Sequence, residues 1–407
     1  MKKIYLSILL LSIQWAIAQD AFHIKSFQFE GTKESKIPIF QLGDRVSFNF
    51  DNLYGDESDM YYRLTLCDRN WKPSTLNRSE YMQGNEWVLI RNVKNSFNTL
   101  QLYCNYQASF PNQFIKPLVS GNYLLEIADI SGAVVATRKL ILFENTINIG
   151  ATVYRPRDLD KASTMHNFHI QLELGENTYQ NPQQNIELSI IQNGIFQSMT
   201  QPLKAQYSIG NQLVYRYEEP TMLYAGNEFL YFDNSDIRQK NNTVFQVESA
   251  DLYITHLYPD QPKANDIYTF YPDLNGAFYP AIRNRNASTF ANESDYSWVY
   301  FRLKKAPTNE DIYVGGMFNN YQFNDSNKMV YNKENNYYEI PILIKQGVTN
   351  YQYFTVKNNK IDTKNAVNGN FAETQNIYHF VAYYKGVLDR HDRVIGASMV
   401  SSELVTN

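Results

Sequence analysis

The sequence is poor in the residues that build metal and redox sites. Its 407 residues include only two cysteines, Cys67 and Cys104, and six histidines. Two cysteines cannot form a zinc cluster or a disulfide framework. We therefore expect two buried free thiols, with a single disulfide as the alternative for a protein that folds in an oxidising compartment.

Charge is also scarce. Lysine and arginine total 37, aspartate and glutamate total 41, and the formal net charge is −4. The sequence contains no basic run. Proteins that bind nucleic acid or an anionic membrane surface concentrate positive charge, so we expect neither partner.

Long hydrophobic runs are absent beyond the N-terminus. There, Lys2 and Lys3 precede a short apolar stretch, and Ala16-Ile17-Ala18 is typical of a signal-peptidase site. The stretch is too short to span a membrane, and no later segment approaches the ~18 apolar residues that a spanning helix needs. The sequence predicts a signal peptide over residues 1–18, cleavage before Gln19, and a mature protein in the periplasm or outside the cell.

Aromatic residues, by contrast, are abundant. The 32 tyrosines, 24 phenylalanines and four tryptophans favour strands, because flat side chains pack well on a pleated sheet. Apolar and polar residues alternate in short runs, as in residues 46–50 and 168–174, and Asn193-Gly194 predicts a tight turn. No ten-residue stretch shows convincing helical periodicity. The sequence predicts an all-β protein of tandem immunoglobulin-like antiparallel β-sandwich domains.

Turn-rich segments divide the mature sequence into units. We expect an N-terminal β-sandwich over residues 19–145 and a middle β-sandwich over residues 146–257. Four prolines disfavour a central strand in the segment that follows, so residues 258–294 are expected to form an irregular connection. An early-set-like β-sandwich with a tail is expected over residues 295–407.

The sequence contains no recognisable catalytic or metal-binding motif. His166 and His169 are three residues apart, but they enter a predicted strand, where positions i and i+3 face opposite sides. The acidic loop over residues 51–59 either binds calcium through carboxylate oxygens or forms a solvated hairpin tip. We expect the tip, with no metal, cofactor or catalytic residue. A hydrolase with a carboxylate pair that only the fold brings together is a competing hypothesis.

A pattern in the last unit is similar to a known sandwich. A predicted strand breaks into the turn Gly316-Met317-Phe318-Asn319-Asn320-Tyr321, and a tyrosine-rich strand follows over residues 347–354. This order resembles the early-set sandwich of starch- and glycogen-binding modules, which stack sugar rings on tryptophan. Tyr321 stands where tryptophan is expected, so the resemblance favours the fold more than sugar binding. A periplasmic or cell-surface glycan-binding protein is the alternative function.

Several further motifs occur in order along the mature chain. They are residues 50–53, 55–56, 67–74, 96–100, 110–112, 120–125, 154–156, 282–285, 295–299, 316–321 and 392–396. Together they resemble the plug protein family of the Bacteroidota type IX secretion system. The resemblance implies a non-catalytic periplasmic protein whose partner is the outer-membrane translocon barrel. It implies that the protein binds the periplasmic face of this barrel and closes the pore when no substrate is passing.

A steric plug needs exposed anchor residues, and no small-molecule substrate is expected for it. Interface energy is usually concentrated in a few aromatic and arginine side chains. The turn Phe318-Asn319-Asn320-Tyr321 is one candidate, since an asparagine-rich tip can present an aromatic ring away from a sheet. Arg390 and Arg393 in the charged C-terminal segment are the other candidates, because arginine binds carboxylates through two nitrogens.

Overall fold

The computed structural model describes residues 20–31, 36–176, 179–357 and 360–404. The predicted signal peptide, residues 1–18, lies outside these ranges and stays a prediction. The described chain is mostly strand, which confirms the all-β prediction of tandem sandwiches. Its helices are single turns, and none in the described ranges is long or apolar enough to cross a membrane.

The first unit is a sandwich of two sheets with a short ribbon. Its strands are β1 Ile24–Glu30, β2 Ile39–Gln41, β3 Val46–Asn52, β4 Tyr61–Cys67, β5 Met82–Gly84, β6 Val88–Leu89, β7 Asn92–Asn95, β8 Cys104–Phe110, β9 Ile115–Pro117, β10 Gly121–Ala128 and β11 Val134–Phe143, with helix α1 at Arg78–Tyr81. One sheet has the order β1-β3-β8-β7 and the other β2-β11-β10-β4-β6, while β5 pairs with β9. Alternate side chains of both sheets, such as Phe48 and Tyr123, form one core.

The chain continues into a second sandwich. Its first strands are β12 Asn148–Tyr154, β13 Met165–Glu173, β14 Ile186–Gln192, β15 Leu203–Lys204, β16 Tyr207–Ile209, β17 Gln212–Tyr215 and β18 Leu223–Tyr224, with helix α2 at Pro182–Asn185 and a 3₁₀ turn at Phe196–Ser198. The order β12-β13-β17-β16 forms one sheet of this unit, and β18 pairs with β13.

The third sandwich follows. Its strands are β19 Leu230–Asp233, β20 Val244–Ser249, β21 Tyr253–Leu257, β22 Phe278–Pro280, β23 Tyr296–Leu303, β24 Asp311–Gly315, β25 Val330–Asn332, β26 Tyr337–Lys345, β27 Gly347–Lys357 and β28 Lys360–Ile361, with helix α3 at Phe290–Glu293 and 3₁₀ turns at Ala287–Thr289 and Met317–Asn319. One sheet has the order β20-β21-β23-β26-β25, and β27 gathers β19, β22, β24 and β28 into the other. The proline-rich connection contributes β22, a 3₁₀ turn and α3, and is otherwise irregular.

The last two strands, β29 Ile377–Tyr384 and β30 Arg393–Ser401, return to the second unit, and a 3₁₀ turn follows at Ser402–Leu404. β29 pairs with β14 from Ile186↔Tyr384 to Gln192↔Tyr378, which gives the sheet order β15-β14-β29-β30. The sequence pattern predicts these strands in the last unit. The pairing joins segments far apart in sequence, which no local pattern indicates. We propose a division into residues 24–143, residues 148–224 with 377–401, and residues 230–361.

His379 lies on β29, a central strand of the second unit, and is 7% exposed. Its Nδ1 atom has no hydrogen-bond partner among the described residues. Burial lowers the pKa of His379 from 6.5 to about 4. The pKa of His379 is lower in the folded than in the unfolded protein. Its contribution to the free energy of unfolding is therefore fully present above pH 6.5. It is lost as the pH falls towards 4.

We therefore expect the free energy of unfolding of His379→Phe to fall less than that of the wild type between pH 7 and pH 4. The unfolded wild type gains a proton at this position, whereas phenylalanine cannot. The difference between the two pH curves, measured by urea denaturation, should reach up to about 3 kcal/mol. Parallel curves would contradict this account.

Candidate functional site

The predicted anchor turn lies between β24 and β25 and is held by asparagine side chains. Asn319 Oδ1 accepts a hydrogen bond from the Gly316 amide (3.1 Å), and Asn319 Nδ2 donates to the Val314 carbonyl (3.0 Å). Asn320 and Tyr321 follow with φ of 54° and 50°. Both angles are in the left-handed region, which asparagine tolerates better than most residues. The asparagine-rich sequence therefore reverses the chain here.

The reversal turns the aromatic side chains inward. Tyr321 is 4% exposed, and its ring meets that of Phe354 edge-on with 6.0 Å between centroids. Phe318 is half-buried and stacks on Phe301 at 6.5 Å. A Cβ atom on Gly276, which has φ of +81°, would overlap the Tyr321 hydroxyl. The turn does not present an exposed aromatic tip, which corrects the expectation from the sequence.

The same turn connects the three units. Gln197 of the second unit donates from Nε2 to the Tyr321 carbonyl (2.8 Å). Gln322 Nε2 donates to the Asp20 carboxylate (3.4 Å), which precedes the first unit. Asp20 in turn pairs with Arg138 of β11 at 2.6 Å. The turn, through the Tyr321 carbonyl and the Gln322 side chain, therefore braces the sandwiches against one another.

We expect Tyr321→Ala to lower the free energy of unfolding by about 3–5 kcal/mol, the usual cost of removing a buried aromatic ring. Tyr321→Phe is the matched control, because the buried hydroxyl has no hydrogen-bond partner among the described residues. Removing an unpaired buried hydroxyl should preserve or increase stability. Chemical denaturation measures the loss of unfolding free energy in both variants. Equal losses would refute the packing role of the Tyr321 ring.

Arg390 and Arg393 bind carboxylates of the first unit. Arg393 contacts Glu144 through two nitrogens, Nη2–Oε2 at 2.6 Å and Nε–Oε1 at 3.2 Å, and Ser120 donates to the same carboxylate. Burial would raise the pKa of Glu144, but the hydrogen bonds from Arg393 and Ser120 outweigh it and lower that pKa. Arg390 pairs with Glu80 at an exposed position (2.6 Å). Arg393 therefore joins the second unit to the first. Arg390 instead forms an exposed ion pair on the protein surface.

A buried ion pair connects the first and third units. Lys345 Nζ lies 2.6 Å from Asp51 Oδ2, and the two side chains are 2% and 0% exposed. Tyr296 Oη donates to the same carboxylate oxygen (2.6 Å), and Asn105 Nδ2 donates to the other (2.7 Å). Lys345 also donates to the Ala291 carbonyl (2.7 Å). Each charge has hydrogen-bond partners, the condition under which buried charges are tolerated.

The expectation of a solvated acidic tip is confirmed for Asp56, Glu57 and Asp59, which are exposed, but it is wrong for Asp51. Asp51 belongs to β3, and its carboxylate is occupied by lysine, tyrosine and asparagine side chains rather than open to a calcium ion. Within the described ranges, histidine, cysteine, aspartate and glutamate side chains form no group that could hold a metal. Burial lowers the pKa of Lys345, although the Asp51 charge opposes this shift. Burial and the Asp51 charge both raise the pKa of Tyr296.

We expect Asp51→Asn and Lys345→Met each to cost about 3–5 kcal/mol of unfolding free energy, because each leaves one buried charge without its partner. The double variant leaves no unpaired charge, so it should lose less than the sum of the two single losses. A double-mutant cycle by chemical denaturation measures the difference. Additive losses would show that the two charges do not depend on each other.

The described cysteines and the histidine pair have structural surroundings. Cys67 and Cys104 are both buried and free, as expected. Burial raises the pKa of the Cys67 thiol to about 12 and that of Cys104 to about 11. His166 is buried and contacts the Tyr378 hydroxyl (2.8 Å) and a backbone carbonyl. His169 packs on the ring of Tyr154, so the two histidines do not share a site.

The first unit carries a cluster of exposed apolar side chains that the sequence analysis did not single out. We call Phe22, Tyr54, Phe97, Leu100 and Leu102 the apolar patch; their exposed fractions are 60%, 69%, 67%, 53% and 61%. An added Cβ on Gly55, beside Tyr54, would lie 2.8 Å from Leu102 Cβ, so these loops are in contact. Clustered exposed apolar residues, unlike scattered ones, mark interaction surfaces.

Backbone hydrogen bonds to the third unit fix the apolar patch. The amides of Leu100 and Gln101 donate to the Asp295 carboxylate at 2.7 and 3.1 Å. The Phe97 amide donates to the Asn292 carbonyl at 2.8 Å. The loop that carries Phe97 and Leu100 is therefore held in place, which reduces the entropy lost on binding. Part of it lies in the sequence motif of residues 96–100, but exposure could not be inferred from that motif.

The described residues thus define a braced protein of three β-sandwich units with an apolar patch on the first. Residues 24–144 match the family model of the type 9 secretion system plug protein 1st domain. This range contains all eleven strands of the first unit. This part of the chain is therefore similar to the plug protein first domain, which confirms the resemblance found in the sequence.

A solved structure is similar to nearly the whole chain. It is the crystal structure of a hypothetical protein from Parabacteroides merdae ATCC 43184 at 2.30 Å resolution, with a TM-score of 0.89 and 26% identity. The match covers 94% of this chain and 98% of that chain. The BSP domain of a biofilm associated protein has a TM-score of 0.18 and 10% identity, too little to indicate a shared fold. No curated protein sequence matches this chain.

Proposed function

We propose that this protein is a non-catalytic plug that binds the periplasmic face of the type IX secretion translocon barrel and closes its pore when no substrate passes. The observation that carries this proposal is the match of residues 24–144 to the first domain of the plug protein. The plug family is non-enzymatic in general, and it suggests a periplasmic location near the outer membrane. The predicted signal peptide over residues 1–18 is consistent with that compartment.

The apolar patch is the surface that we assign to the barrel. Tyr54, Phe97, Leu100 and Leu102 all lie within the matched first domain. Arg390, which pairs with Glu80 at the surface, is a separate candidate contact. Exposed aromatic anchors with leucines beside them suit an interface that must also separate. A plug that cannot leave would block secretion, so a small patch serves better than a large apolar face.

The braces between the units support a steric mechanism. The Asp51–Lys345 pair joins the first and third units, and the Arg393–Glu144 pair joins the first and second. The Tyr321 turn contacts both of its neighbouring units. A chain of sandwiches fixed in this way can cover an opening without folding around it, because its shape does not depend on the partner.

An uptake assay with a vancomycin-sized hydrophilic probe tests this function. Deleting the protein should make the outer membrane leaky when the translocon is present, and deleting both should abolish the leak. Leu100→Ser with Leu102→Ser should give a partial leak and weaken recovery of the barrel on the tagged protein. Loss of anchor residues typically costs 2 kcal/mol or more, which is about thirtyfold in affinity.

The matched control replaces two equally exposed leucines outside the patch. Leu159 and Leu388 are 87% and 89% exposed, so Leu159→Ser with Leu388→Ser should keep both the barrier and barrel recovery. A leak that persists without the translocon would refute the plug. A control variant that leaks as much as the patch variant would refute the assignment of the patch but not the plug.

A further inference from the structure

A cleft separates the outer face of the sheet β1-β3-β8-β7 from the third unit. Its volume is about 590 Å³, and it lies on the opposite side of that sheet from the first unit's core. Tyr279 and Pro280 of β22 and Phe290 of α3 form its wall. Clefts between domains are common places for ligands. Neither the plug function nor the apolar patch uses this cleft.

The floor of the cleft carries one row of side-chain amides that crosses all four strands. Gln28 pairs in register with Asn49, Asn49 with Gln107, and Gln107 with Asn92. All four residues line the cleft. Three interstrand steps of ~4.8 Å make the row about 14 Å long. We call these four residues the amide row.

Hydrogen bonds orient most of the amide row. Asn92 Nδ2 donates to Gln107 Oε1 (3.0 Å), and Gln107 Nε2 donates to Asn105 Oδ1 (2.8 Å). Gln28 Nε2 donates to the Phe278 carbonyl of β22 (2.7 Å). Each amide keeps a second N–H and a second carbonyl lone pair. Asn49, at the centre, makes no side-chain hydrogen bond within the described residues, so its donors and acceptor face the cleft unused.

The remaining lining mixes polar and apolar side chains, its exposed surface is mostly polar, and its charges are nearly balanced. Lys36 and Arg45 lie with Glu30 in the lining, and Lys345 at the buried end is already paired with Asp51. Lys36 Nζ lies 4.0 Å from the centroid of the Tyr279 ring, which is 44% exposed. Such a lining lacks both the apolar surface that suits hydrophobic ligands and the clustered positive charge that suits nucleic acid.

We propose that this cleft binds a neutral, hydroxyl-rich saccharide along the amide row. A sugar hydroxyl both donates and accepts hydrogen bonds, as each primary amide of the row does, and Tyr279 offers an aromatic surface beside them. An extended peptide would instead satisfy its backbone by pairing with a strand edge such as β7. This site differs from the Tyr321 turn, whose aromatic ring is buried.

The test screens the intact mature protein on a printed array of neutral and acidic oligosaccharides and then titrates the strongest neutral one by calorimetry. We expect a neutral oligosaccharide to be retained. Asn49→Leu should weaken its binding about tenfold or more, because it removes the unpaired amide and places an apolar group at the centre of the row. Gln107→Ala, as a second variant, should also weaken it.

Gln246→Ala is the matched control, since it removes an exposed amide of β20 outside the cleft and should bind like the wild type. Unchanged thermal unfolding of Asn49→Leu shows that the loss is local, as expected for a side chain without internal hydrogen bonds. The proposal is overturned if no neutral oligosaccharide is retained or if Asn49→Leu and Gln107→Ala both bind normally. Equal binding of an unstructured serine- and asparagine-rich peptide would overturn the ligand class. Barrel recovery by Asn49→Leu should be unchanged, which separates this result from the plug function.

Discussion

The arrangement of the first and third units depends on the buried contact between Asp51 and Lys345. A charge removed from water is tolerated only when its partner and its hydrogen-bond donors are held in place. Those partners come from both sandwiches, since Asp51 and Asn105 lie in the first unit and Lys345 and Tyr296 in the third. Neither unit can shift without leaving a buried charge unsatisfied. The ion pair therefore fixes the geometry of the seam between the units more strictly than apolar packing alone would.

Two functional surfaces lie along that seam. The apolar patch is held by Asp295, the residue that precedes Tyr296, through the amides of Leu100 and Gln101. On the other side, Lys345 and Asn105 form the buried end of the cleft with the amide row. One electrostatic contact thus positions both the patch that we assign to a protein partner and the polar cleft that we propose for a saccharide. The two surfaces have opposite chemistry, so the two proposed partners would not compete for one surface.

A rigid assembly of small sandwiches suits a protein that acts by shape. Its residues contribute to stability in two ways. Some pack within a unit, as Tyr321 does against Phe354, and others join two units, as Arg393 does with Glu144. Loss of such a contact would lower the stability of the fold or displace a binding surface. It would not remove a catalytic group. The proposed plug function needs this property, because in that proposal the bulk of the molecule closes the pore and separation of one interface opens it.

Features that depend on neighbouring residues were determined by the sequence alone. Strand alternation predicted the sandwiches, and Asn193-Gly194 forms the predicted turn with φ of 50° and 70° because asparagine and glycine accept the left-handed region. Ordered motifs predicted the family, which the match to the first domain confirms. Features that depend on contacts between distant segments were decided only by the tertiary structure. The burial of Asp51, the inward turn of Tyr321 and the return of β29 to β14 each join residues that are remote in sequence. Alternation states which face of a strand is apolar, but it does not state which other strand or charge will cover the opposite face.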